Sequence, residues 1–91
     1  MHNELPPLHY AIIEHFTDGM EDCAQGVIKA LEKDYAGYKL LNAKAVSEML
    51  ATAKENGILE EASYCVNSKG DLIPTYRMDE FGREMVRRYL G

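Results

Sequence analysis

Three small groups of side chains along this sequence have the types that chemistry uses: His9, His15 and Cys23; the acids Asp18, Glu21 and Asp22 among them; and Ser63-Tyr64-Cys65. The first group could ligate zinc or iron, but no two of its members are four apart on one helix. No second cysteine or histidine follows closely, so no metal site is expected and His9 and His15 read as boundary residues of a first helix. Three close acids could hold magnesium for phosphoryl chemistry. Their spacing is better explained by a helix start, with Asp18 as N-cap and Glu21 at the third helical position forming a reciprocal capping box. Ser63 and Cys65 have no base evident nearby in sequence. No glycine-rich phosphate loop, zincin helix, nucleophile elbow or paired-cysteine zinc site occurs, so neither an enzyme nor a cofactor is expected.

Composition sets the frame that must hold these residues. Ninety-one residues with 46% apolar content and three prolines make one domain, spanning residues 1–91, by the usual length prior. The net charge of −5 is uneven: residues 1–38 carry seven acids and two bases, whereas residues 39–91 carry eight of each. The acidity therefore belongs to the first two helices. The apolar runs are too short to span a membrane and the N-terminus MHNELPPLHY lacks the basic start of a signal peptide, which leads to a cytoplasmic expectation. Cys23 and Cys65, far apart and without a partner motif, are expected as reduced, partly buried thiols.

Periodicity then divides the chain. Leu8, Ala11, Ile12 and Phe16 have helical spacing after Pro6-Pro7, giving a helix over about 7–17 that Thr17-Asp18-Gly19 interrupts. Met20, Cys23, Ala24, Val27, Ile28 and Leu31 share a second stripe, to about Asp34. Asn42 can cap a third helix over 43–56, with Val46, Met49, Leu50 and Ala53 facing inward and Asn56-Gly57 as a left-handed stop. Beyond it, Tyr64-Cys65-Val66 and Leu72-Ile73 flank the turn Asn67-Ser68-Lys69-Gly70, a hairpin in which Pro74 requires an edge or an irregularity. Asp79 caps a last helix, 80–90, with Met85, Val86, Tyr89 and Leu90 on one stripe. The fold class is mostly α with a small antiparallel hairpin (α+β), in the order helix, helix, helix, strand, strand, helix.

That order resembles the winged helix-turn-helix domains. The likeness rests on Val46, Leu50 and Gly57-Ile58-Leu59-Glu60, similar to the family's third helix leading into its first wing strand. It rests also on Tyr76-Arg77-Met78-Asp79-Glu80-Phe81-Gly82-Arg83-Glu84, similar to the exit from the wing into a final helix. The resemblance covers nearly the whole chain and implies a small bacterial or phage regulator that binds double-stranded DNA as a homodimer. It further implies that the third helix lies in the major groove.

On that analogy the nucleic-acid-binding residues are Lys39, Lys44, Ser47, Glu48, Thr52 and the wing's Lys69. Lys44 and Ser47 would meet phosphate or base edges and Glu48 would accept from a cytosine amino group. The lysines offer only ~3–4 phosphate contacts per subunit, so DNA binding requires pairing of subunits, with Met85, Tyr89 and Leu90 expected at the dimer contact. The alternative is a non-catalytic protein-protein interaction module of the same fold, using the acidic face of residues 1–38 to hold a basic protein partner.

Overall fold

The computed structural model describes residues 5–89, the side chain of Tyr89 excepted. Its elements are α1 (Leu8–His15), α2 (Ala24–Leu31), α3 (Ala43–Glu55), β1 (Glu60–Val66), β2 (Leu72–Arg77) and α4 (Glu80–Tyr89), the expected order. Their apolar faces meet in one core in which Phe16, Val27, Val46 and Leu50 are fully buried. Tyr35, from the long connection between α2 and α3, completes it and donates its hydroxyl to the Pro6 carbonyl at 2.6 Å. Burial raises the Tyr35 pKa above its ordinary value.

The local signals for α3 hold in detail. The Asn42 side chain accepts from the Ala45 amide at 2.8 Å, satisfying one of the donors that a helix start leaves unpaired. At the other end Gly57 has φ +82°, the left-handed conformation that turns the chain back so that Leu59 enters the core. The last helix is capped by Asp79, whose carboxylate accepts from the Gly82 amide at 2.8 Å.

The start of α2 differs from expectation. Gly19 has φ +88°, which no helical first turn tolerates, and Asp18 instead accepts from the Met20 amide in a local turn. Residues leading to α2 are extended, and Asp22 pairs antiparallel with Tyr76, its amide donating at 2.9 Å and its carbonyl accepting at 2.7 Å. The capping box is therefore absent and Met20, expected inside, is 47% exposed. Glu21 is drawn to the hairpin: its carboxylate accepts from Ser63 at 2.7 Å and Thr75 at 2.5 Å.

Those hydroxyls, Thr75 first and then Ser63, lower the Glu21 pKa below its ordinary value near 4.5. A depressed folded-state pKa stabilises the fold above the unfolded pKa, and that contribution is lost as pH falls through the folded value. Glu21→Gln should therefore be destabilising at neutral pH, with its deficit shrinking as the pH falls from 4.5 through the lowered folded-state value. Denaturant midpoints of both proteins across that range check it; a deficit independent of pH would show that the clasp does not act through charge.

The two strands pair antiparallel with Tyr64 opposite Pro74 and Cys65 opposite Ile73. Pro74 sits in a two-stranded sheet, and the irregularity falls on its partner strand, where Ala62 is the extra residue between Glu61 and Ser63. At the turn the Asn67 carboxamide accepts from the Lys69 and Asp71 amides, both at 2.9 Å. Cys23 and Cys65 are free and half-buried, and burial pushes the Cys65 thiol up.

Candidate nucleic-acid interface

α3 presents Lys44, Ser47, Ala51 and Glu55 to solvent on the side opposite Val46, Leu50 and Ala53. Lys44 extends almost fully into water, its side chain 87% exposed. Lys39 precedes the cap, and its carbonyl accepts from the Asn42 carboxamide at 2.7 Å, which ties that backbone to the start of α3. Lys69 is held at the exposed tip of the hairpin by the Asn67 turn. The cap and the turn thus position two lysines by backbone geometry rather than by packing.

Glu48, its side chain 69% exposed, and Thr52 share that exposed side and also reach its edge towards α1. With Ala45, Met49 and Asn56 they form the α3 wall of an apolar groove of about 590 Å³, whose other wall is α1 with His9, Ile12 and Ile13. Periodicity alone could not show this groove, because whether a helix flank is covered depends on its neighbour.

Charge on this side is largely compensated. Lys44 Nζ is 4.0 Å from Glu48, Lys54 is 3.4 Å from Glu61, and Arg77 Nε donates to Glu60 at 2.7 Å. Glu60 holds the Arg77 guanidinium firmly charged, raising its pKa. The hairpin also shows Tyr64, Val66 and Leu72 to solvent at 58%, 64% and 67% exposure, an apolar surface to which residue type and spacing alone assign no role.

The remaining candidates are structural. His15 Nε2 stands 2.8 Å from an Asp22 carboxylate oxygen, part-buried, tying α1 to the extended segment, and His9 is exposed. Among the described residues no group of three or more His, Cys, Asp or Glu side chains could hold a metal ion. Also among them, no helix is long and apolar enough to cross a membrane. Of the dimer-contact residues, Met85 is half-buried, while Leu90 and the Tyr89 side chain lie outside the described residues.

No family model matches the chain, and no curated protein matches it in sequence. Among solved structures, the crystal structure of a candidate transcriptional regulator from Thermoplasma acidophilum aligns with a TM-score of 0.67. The alignment covers 91% of this chain and 76% of that one at 17% identity. The two chains share this arrangement of helices and hairpin. At such identity the likeness is one of fold, and the role named for the neighbour is its own.

Proposed function

We propose that this chain is a single winged-helix domain acting in the cytoplasm as a small DNA-binding transcriptional regulator. The observation that carries the reading is the arrangement of α3: an exposed lysine-and-serine surface, set by the Asn42 cap, on a regulator-like fold that also presents Lys69 on a hairpin tip. Lys39, Lys44 and Lys69 contact phosphates, Ser47 reaches a phosphate or a base edge, and Glu48 and Thr52 border the same surface. No catalytic step is assigned to the protein. Titrating random duplex DNA at several salt concentrations tests the reading, since phosphate contacts give a salt-dependent affinity.

A second reading is a protein-interaction module. It is favoured by the pairing of Lys44 with Glu48 and Arg77 with Glu60, which cancels basic charge where DNA would lie, and by the excess acids of residues 1–38. A basic protein partner bound by the acidic helices, with no duplex binding, is its expected signature.

The DNA reading entails a homodimer, because one subunit offers too few phosphate contacts. Met85, Tyr89 and Leu90 are the proposed contact, and Phe81 adds apolar surface on the last helix at 63% exposure. Sedimentation at high micromolar concentration should give a dimer that Tyr89→Glu dissociates. A wild-type monomer, or a dimer indifferent to that change, removes the interface from the last helix.

A further inference from the structure

The groove between α1 and α3 is unlike the rest of the surface. Its volume, about 590 Å³, is within the range of small-molecule sites, roughly 300–1,000 Å³. Ile12, Ile13, Met49 and Ile58 give it apolar walls, and its few polar side chains include one carboxylate, Glu48, with no lysine or arginine in the lining. Glu48 is loosely engaged: Lys44 reaches it only at 4.0 Å, with both side chains largely in water, an arrangement worth little to either. The groove therefore combines an apolar bed with a replaceable negative charge at its edge.

We propose that this groove binds a small apolar amine, its hydrocarbon body against Ile12, Ile13, Met49 and Ile58 and its ammonium paired with Glu48. The charge complementarity selects the ligand class: an anion would meet Glu48 with no lysine or arginine in the lining, where the imidazole of His9 is the one basic ring, and a neutral hydrocarbon would leave the carboxylate unused. One consequence rests on the DNA reading. An ammonium at Glu48 releases Lys44 and cancels an acid beside the phosphate-facing surface, so the amine tightens duplex binding.

The test compares 4-phenylbutylamine with 4-phenylbutanol, which has the same body without the charge, by calorimetric titration of the full chain at low salt. The amine should bind about five-fold tighter, the factor expected for one solvent-exposed ion pair. Glu48→Gln should erase that preference while leaving the alcohol's affinity unchanged, and Ala45→Leu, which fills the groove, should weaken both. Amine-induced NMR shifts should centre on Ile13 and Ala53. Equal affinity for the two probes, a preference that survives Glu48→Gln, or shifts centred elsewhere would overturn the proposal. So would amine affinity that weakens with protein concentration as a dimer forms, because a second copy would then fill the groove. Duplex affinity with and without saturating amine is measured separately. Amine binding with Glu48 dependence but no duplex binding would sink the DNA reading and leave the groove standing; duplex binding indifferent to the amine would overturn the coupling.

Discussion

Gly82→Ala should destabilise the protein by roughly 2 kcal/mol, against the usual rule that alanine strengthens a helix. In an exposed helix interior that change gains about 1 kcal/mol. Here a Cβ at position 82 would stand 2.0 Å from the Ile58 carbonyl oxygen and 2.8 Å from its carbon. The obstacle is backbone held by its own bond, the Ile58 amide donating to Ala53 at 2.9 Å, so it has little freedom to yield. Either α4 moves away from residues 57–58 or the end of α3 shifts, and overpacking of this kind costs about 1–3 kcal/mol or more. For a chain of this length 2 kcal/mol lowers Tm by roughly 8–16 °C. Thermal melts of the two proteins decide it, and an unchanged or higher Tm for the variant would show that α4 does not approach Ile58 this closely. On the proposed dimer contact through Met85 of α4, a lowered dimer affinity should accompany the lowered Tm.

How much of this was legible in the sequence depends on the range of the interaction that decides each feature. The α3 cap at Asn42, the stop at Gly57, the hairpin turn at Asn67 and the α4 cap at Asp79 are made within a few residues, and all were readable from residue type and spacing. The start of α2 was misread because a distant partner competes for the same acid. Glu21 has the right spacing for a capping box, yet it gains two hydroxyl donors from the hairpin, 42 and 54 residues away in the chain. Tyr76 likewise captures the Asp22 backbone, which a helical reading had assigned to a first turn. The glycine at 82 was legible as a family-like spacing, while its steric cause, the Ile58 carbonyl, was not. For the candidate interface, the exposure of Lys44 and Ser47 followed from the α3 wheel, but the place of Glu48 and Thr52 on a groove wall required knowing where α1 lies.

Lys44→Ala and Lys69→Ala should each weaken duplex DNA binding by about ten-fold per subunit near 0.1 M salt, and each should lower the magnitude of the log–log salt slope by about 0.9 per subunit. Both effects arise from the same event, the release of one condensed counterion for each phosphate neutralised, so they must appear together. Loss of affinity with an unchanged slope would mean that the lysine acts through folding or packing, which its exposure makes untenable for Lys44. Ser47→Ala should differ, because a hydroxyl hydrogen bond carries no counterion and its loss is nearly salt-independent. Glu48→Gln separates the roles left for that carboxylate. If it only neutralises Lys44 across 4.0 Å, removing its charge should tighten binding to every sequence; if it accepts from a cytosine amino group, discrimination should relax at one base pair alone. The outcome fatal to the whole reading is simpler: wild-type protein that retains no duplex even at ~50 mM salt, where the electrostatic contribution is large. In that case the compensation of Lys44 by Glu48 and Arg77 by Glu60 has the opposite significance, since a surface kept near neutrality suits a protein partner better than a phosphate backbone.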